Sequence, residues 1–276
     1  MLKHSLILSC AALALAGGAL SQETEISEEG QDYIYLTHER LPVIEVAGLR
    51  PVLESDLTTS VTVLDASDLA VRDTPYLADQ LRAVPGLGVS RSGAAGGLTQ
   101  VRVRGAEANH TLVLLDGIEI SDSTTGETDF GGFSGASASR IEIARGEQSA
   151  LYGSDAIGGV INVMPAPSEG FTGLLEGGSF STFRLDAGYG WDFDYSDLTV
   201  SFSDVISDGV DTSGLDGEKD GYQNYSGLVR GGIQFGDDWE ARGLLRYGYG
   251  EVDTDPDLDF DGRLDDADRV TETTQW

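Results

Sequence analysis

Cysteine is nearly missing from this chain: among 276 residues only Cys10 occurs, inside the first apolar stretch. Beyond residue 10 this excludes disulfides, thiolate zinc sites and cysteine nucleophiles, while leaving an oxidising compartment permitted. Histidine is almost as scarce, and His38 and His110 lie far apart with no third ligand at a metal-binding spacing, which argues against a histidine metal site. Cations are also short, with 17 Lys and Arg against 47 Asp and Glu and a formal charge of −30. Nucleic-acid binding needs the opposite sign, because that affinity comes mainly from Lys and Arg neutralising phosphates. After residue 21 no apolar run reaches the ~18 residues of a membrane-crossing helix, so any crossing of a bilayer must be made by strands. There is no Gly-x-Ser-x-Gly elbow with a matching His. Acids are so abundant that no pair stands out as general acid and base. The chain reads as a non-enzyme.

The N-terminus has the layout of a Sec signal peptide over residues 1–21: Lys3, the apolar stretch from Leu6 to Leu15, and the small-residue exit from Gly17 to Ser21. Cleavage is expected after Ser21, or alternatively after Ala19. Cys10 sits too early in the apolar run to be a lipid-attachment site. Loss of Lys3 with the leader takes the charge from −30 to −31. Residues 22–40 are polar, acidic and without periodicity, and with the segment to residue 50 they form a leader. Within it the stretch from Leu41 to Gly48 reads as extended, since Pro42 blocks a helix and Val43, Ile44 and Val46 favour strand.

Residues 51–165 alternate short strands and helices, an α+β domain large enough for one core. The segment from Ser60 to Leu64 reads as a strand and Ala66-Ser67-Asp68 offers helix caps. From Tyr76 to Val84 apolar residues recur at helical spacing until Pro85-Gly86. Val101 and Val103, the run from Leu112 to Leu115, and Ile118 to Ile120 read as strands, with Asp116-Gly117 at a turn.

From residue 170 to 276 the texture changes to long stretches in which apolar or aromatic side chains alternate with small or polar ones, as in Arg184 to Trp191, Tyr225 to Phe235 and Trp239 to Tyr249. Period two with aromatics at the ends is the pattern of outer-membrane barrel strands. A soluble β-sandwich shares the period, but short turns such as Gly236 to Asp238 alternate with polar connections drawn at 207–223 and 251–274, as in a barrel with unequal ends. About five strands can be drawn from Phe171 to Val252, too few to close in lipid, where open edges leave backbone groups unpaired. The barrel is expected to be incomplete and the chain truncated.

The twelve residues from Asp257 to Asp268 match the spacing of an EF-hand loop. Asp257, Asp259, Asp261, Asp265 and Asp268 supply oxygens at the first, third, fifth, ninth and twelfth places. Gly262 permits the sharp reversal, and the Arg263 carbonyl would supply the seventh ligand. A bound, structural Ca²⁺ is expected there, although Asp268 stands where a longer glutamate is usual and a strand rather than a helix precedes the loop.

The run from Arg140 to Val163, with the pieces from Val101 to Gly105 and from Leu112 to Gly117, carries the most specific signal. It reads as a strand through Ile141 and Ile143, a charged turn at Arg145-Gly146, a helical turn ending near Tyr152-Gly153, and a glycine pair leading into an apolar strand. These residues resemble the plug domain of the TonB-dependent outer-membrane receptors, and the stretch from Ser149 to Asn162 looks most like the cobalamin-receptor branch. The resemblance implies a plug followed by the first antiparallel strands of a transmembrane β-barrel, located in the outer membrane of a Gram-negative cell. It implies a TonB-contacting segment at Val43, Ile44, Glu45, Val46 and Ala47, which would bind TonB of the inner-membrane energy-coupling complex by strand addition. Arg104 and Arg145 would pair with acids on the barrel wall, in strands expected beyond Trp276. Glu147 stands where the family usually has proline. The cargo would be a scarce large nutrient, cobalamin-like or a siderophore, and family members of the cobalamin branch hold calcium on extracellular aspartates. A secreted calcium-binding β-rich adhesion module would also explain the leader and the acidic loop, but not the run from Arg140 to Val163.

Overall fold

The computed structural model describes residues 43–44, 46, 52–53, 59–72, 74–134, 138–165, 170–214, 217–236, 239–265 and 269–275. The signal peptide, most of the leader, Glu45, Ala47 and Asp268 lie outside the described residues. Among the described residues no helix is long and apolar enough to cross a membrane.

Two short strands, β1 (Val43–Ile44) and β2 (Val52–Leu53), pair antiparallel. After them β3 (Ser60–Leu64) leads into α1 (Ala66–Arg72). The cap of α1 is one residue earlier than the sequence suggests. Asp65 Oδ1 accepts the Ser67 and Asp68 N–H groups at 2.8 and 3.0 Å, and the Asp68 carboxylate accepts the Asp65 N–H in return, a reciprocal arrangement that satisfies end-of-helix donors. Helix α2 (Leu77–Arg82) buries Leu77, Ala78 and Leu81 and stops before Pro85. A hairpin of β4 (Leu87–Arg91) and β5 (Thr99–Val103) follows.

The centre of this N-terminal domain is a five-stranded sheet. Its members are β3, β6 (Thr111–Leu115), β7 (Ile118–Glu119), β8 (Arg140–Arg145) and β9 (Gly159–Met164), in the order β3-β8-β9-β6-β7. Strands β6 and β9 run parallel, and the other pairs are antiparallel. The Asp116-Gly117 turn between β6 and β7 takes positive φ at both residues, 51° and 82°, as a two-residue hairpin loop requires. Strand β6 is apolar without alternation because both of its faces are covered. On one face Val113, Leu115, Ile141, Ile143, Ile161 and Val163 pack with α1 and α2. On the other, Leu112, Leu114, Ala144 and Val160 pack against Ile44 and Val46. Between β8 and β9 lies the single turn α3 (Ser149–Tyr152).

The C-terminal part is an antiparallel meander of six strands: β10 (Gly170–Gly177), β11 (Phe183–Phe193), β12 (Ser196–Val210), β13 (Asp220–Phe235), β14 (Trp239–Thr254) and β15 (Arg269–Gln275). The sheet is unclosed. Two expectations need correction. The long connections are 211–219 and 255–268, shorter than drawn from sequence, and residues 269–275 form a strand rather than a loop, since Val270, Thr271, Thr273 and Thr274 favour extended backbone despite their polar surroundings. The short links after β11 and β13 mark one end of the sheet, and the connections after β10, β12 and β14 mark the other.

One face of this sheet is apolar and exposed. Tyr189, Val200, Val229 and Leu245 lie in one cross-strand row, and all four are exposed. Trp191, Phe193, Phe235 and Trp239 stand near the short-turn end and Tyr225, Tyr247 and Tyr249 toward the other, where Tyr225 stacks on Tyr249 at 5.3 Å. Trp239 and Tyr249 are ten residues apart on β14. At ~3.4 Å per residue and a barrel-type tilt of about 40°, that is about 26 Å, close to the ~25 Å apolar band of outer-membrane barrels.

Candidate functional site

The opposite, polar face of the meander holds the N-terminal domain. Arg230 Nε lies 2.5 Å from Asp116 Oδ2 in the β6–β7 turn, with Asp197 Oδ2 at 3.6 Å from the same guanidinium. Nearer the long-loop end, the Tyr222 hydroxyl donates to the Gly131 carbonyl at 3.1 Å, and the Gly132 carbonyl accepts from Asn224 Nδ2 at 3.3 Å and from Arg246 at 3.1 Å. The Arg246 guanidinium stands 4.2 Å over the Phe133 ring, a cation–π contact. Leu228 joins the apolar core of the N-terminal domain. Gly96 is needed where it is: it takes φ +88°, and a Cβ there would collide with the Tyr222 ring. These contacts seat the domain against the strand wall at two heights.

Among the described residues the arginines singled out from sequence make their hydrogen bonds inside the N-terminal domain, and the wall strands expected to pair with them lie beyond this chain's span. Arg145 donates to the Pro85 carbonyl at 2.7 Å and to Thr62 Oγ1 at 2.8 Å, both inside its own domain. Arg104 adopts φ 54°, and its N–H donates to the Gly86 carbonyl at 2.7 Å. No ion pair of either arginine occurs among the described residues. Among the described residues, the Asp116–Arg230 pair has its cation on the wall and its anion on the domain. Nothing in the sequence pattern points to it, because Asp116 reads as a turn residue and Arg230 as one more polar lumen position.

Ile44 and Val46 lie against the central sheet. Both are buried, and the Val46 N–H donates to Glu142 Oε2 at 3.2 Å.

In the acidic loop, Asp257, Asp259 and Asp265 bring one carboxylate oxygen each to within 4.8 Å of one another. Asp257 accepts from the Gly262 N–H at 3.0 Å, Asp265 from the Leu258 N–H at 2.7 Å, and Gly262 takes φ 87°. Asp261 is not in that trio: its Oδ1 accepts from the Arg263 N–H at 2.8 Å. A second trio has no signature in the sequence. Asp211, Asp220 and Asp255 also bring one oxygen each to within 4.8 Å of one another, drawn from the connection after β12, the start of β13 and the first residue after β14. Thr212 and Ser213 N–H groups donate to Asp220 and Asp255 at 2.7 and 3.0 Å. The Asp211 carboxyl is held below the usual carboxylate range, first by the Ser213 hydroxyl and then by backbone N–H groups including that of Gly214. Each trio presents three hard oxygen donors of the kind that divalent cations take.

A cavity of about 230 Å³ lies between the wall and Pro165, bordered by Arg184, Asp186, Ser203 and Ser226.

Comparison with known proteins agrees with this geometry. The family described as TonB-dependent Receptor Plug Domain matches residues 54–160. The vitamin B12 transporter BtuB of Vibrio vulnificus (strain YJ016) is 31% identical over 183 residues, covering 66% of this chain and 28% of that protein. BtuB of Photobacterium profundum is 30% identical over 257 residues, covering 88% and 40%. The chain therefore spans well under half the length of these relatives. Among solved structures, the pyoverdine outer membrane receptor FpvA of Pseudomonas aeruginosa PAO1 superposes with a TM-score of 0.61 at 16% identity, covering 74% of this chain and 29% of that one. The siderophore receptor PiuA of Acinetobacter baumannii gives 0.56 at 21%, covering 78% and 30%. The adhesion-module alternative finds no support in these likenesses. With its plug seated on the inner face of an apolar-backed strand meander, this chain belongs to the TonB-dependent receptors, as a plug domain with the opening strands of its barrel, and it resembles the BtuB branch.

Proposed function

We propose that this chain serves in uptake of a scarce large nutrient, cobalamin-like or a siderophore, across the outer membrane of a Gram-negative bacterium. It is exported there by the signal peptide of residues 1–21. The observation that carries the reading is the plug seated against the polar wall by Asp116–Arg230 and by the Tyr222, Asn224 and Arg246 bonds to Gly131 and Gly132. A seated plug blocks passage and must shift to permit it. The reading gains support from two relatives named vitamin B12 transporters, which favour cobalamin over a siderophore.

In this reading the segment from Val43 to Ala47 is the TonB contact. The extended pair Val43–Ile44 offers strand-addition bonds, and force applied there reaches β8 and β9 through the packing of Ile44 and Val46. Binding energy and traction do the work, and no catalytic group is needed. Ca²⁺ would be held by Asp257, Asp259 and Asp265, with Asp261, Asp268 and the Arg263 carbonyl completing the loop. Its role is structural: it neutralises converging carboxylates and orders the extracellular connections that meet the nutrient.

The test is uptake and binding of radiolabelled cyanocobalamin by cells carrying the complete receptor and its Ile44→Pro variant. Proline removes a strand donor and fixes φ. Uptake is expected to vanish while surface binding persists. Equal uptake by both would overturn the TonB assignment, and lack of saturable cobalamin binding by the parent would turn the substrate reading toward a siderophore. Calorimetric Ca²⁺ titration of the parent and of Asp257→Ala tests the metal, and unchanged heats would refute it.

A further inference from the structure

Glu142 has no role in the sequence pattern beyond being the one acid in a buried strand. Its side chain is 0% exposed, on the face of the plug sheet that also carries Leu112, Leu114, Ala144 and Val160. Arg140, partly exposed at the strand's end, approaches Glu142 Oε1 at 2.8 Å. The other oxygen, Oε2, takes the Val46 N–H across 96 residues of sequence. With Arg140 on one oxygen and the Val46 N–H on the other, the carboxylate makes a charge-assisted bond to the Val46 segment. The apolar lid formed by Ile44 and Val46 keeps water from both.

We propose that Glu142 is a positioning residue that latches the segment from Val43 to Val46 onto the plug and so sets how readily that segment becomes available to TonB. The inference rests on the reading of this segment as the TonB contact. In the docked form β1 is already paired with β2, Val43 opposite Leu53 and Ile44 opposite Val52, and the Val46 N–H is taken by Glu142. Both sets of bonds compete with an incoming strand. Apolar packing of Ile44 and Val46 is non-directional and would tolerate sliding, whereas a charge-assisted bond to one amide fixes the register of the docked strand. On release Glu142 keeps Arg140 and gains water, so the undocked state leaves no stranded charge. That makes the latch reversible rather than a permanent clamp.

The experiment uses the complete receptor in detergent micelles, with Glu142→Ala and the near-isosteric Glu142→Gln. Hydrogen exchange of the 43–46 amides reads docking, and the Kd for the soluble C-terminal domain of TonB reads availability. A charge-assisted hydrogen bond corresponds to roughly tenfold or more in an opening equilibrium, so Glu142→Ala is expected to raise exchange about tenfold. TonB affinity should tighten by a similar factor, because apparent affinity follows the competent fraction. Glu142→Gln keeps an acceptor and should give only a fewfold change in both; it also serves as the readout if Glu142→Ala fails to fold. Unchanged exchange in a folded Glu142 variant overturns the latch. Faster exchange with unaltered TonB affinity shows instead that the segment is latched but is not the TonB contact, which removes the functional reading and, with it, the gating role proposed for Glu142.

Discussion

The ion pair between Asp116 and Arg230 predicts an asymmetry between its two single substitutions. Both side chains are nearly buried, 10% and 12% exposed, and the Nε to Oδ2 distance is 2.5 Å. Arg230 also has Asp197 at 3.6 Å, a second partner that is 34% exposed. Removing one member of a buried pair typically costs about 3–5 kcal/mol, because it leaves the other charge desolvated and alone. Arg230→Gln does that to Asp116 and should cost about 3 kcal/mol, at the low end of this range. Asp116→Asn does less: the amide oxygen can still accept, Asp197 still balances the guanidinium, and asparagine tolerates the φ of 51° that the turn imposes, so about 1 kcal/mol is expected. Alanine would confound the comparison by adding left-handed strain of roughly 1–2 kcal/mol. The assay is native-state hydrogen exchange of the β6–β7 hairpin amides in the complete micelle-solubilised receptor, with the double variant closing the cycle. Each tenfold in exchange is about 1.4 kcal/mol, and a coupling of about 1 kcal/mol or more is expected. Equal effects of the two single variants, additive within about 0.5 kcal/mol, would refute the claim that this pair holds the plug to the wall.

Leu245→Arg places a charge in the middle of the exposed apolar row and should destabilise the folded barrel by about 2–4 kcal/mol in bilayer refolding titrations, whereas the same change at the inward Ser226 should not show this depth-dependent penalty. Gly96→Ala meets the Tyr222 ring and a positive φ, so plug protection in hydrogen exchange should fall sharply; pairing it with Tyr222→Ala should restore part of the loss by removing the collision. The Asp211 carboxyl is held below its ordinary value of 3.8, so its contribution to the turn after β12 is present above that value and is lost as pH falls through the lower folded value. Asp211→Asn should therefore flatten the acid limb of loop ordering, followed by NMR between pH 5 and about pH 2.

The plug is largely legible because its signals are local. The run from Arg140 to Val163 predicts β8, α3 and β9 in order, Asp116-Gly117 predicts the hairpin, and Pro85-Gly86 ends α2. The alternation from residue 170 onward also points to the meander, since one face meets lipid and the other the plug. What escapes the sequence depends on strand pairing. Asp211, Asp220 and Asp255 are separated by up to 44 positions and meet only because β12, β13 and β14 are adjacent. The β15 strand is hidden by its Thr and Glu content, and the Glu142 to Val46 bond by a 96-residue separation. Spacing picks out Asp257, Asp259 and Asp265, but spacing alone does not separate them from Asp261, whose carboxylate serves the Arg263 amide.

Strand β13 ties these observations together. Side chains two apart share a face, and along this strand Asp220, Tyr222, Asn224, Leu228 and Arg230 occupy alternate positions of one face. In that order they reach the second acidic trio, the Gly131 carbonyl, the Gly132 carbonyl, the plug's apolar core and Asp116. A single element therefore fixes the plug's height from the outer acidic connections to the inner turn. A slip of one residue would turn all five toward lipid and bring Val229 and Gln223 inward, losing every attachment at once. Register in β13 is specified on both faces, by polar partners inside and by the apolar row outside, and the plug's position in the wall follows from that strand more than from any one contact it makes.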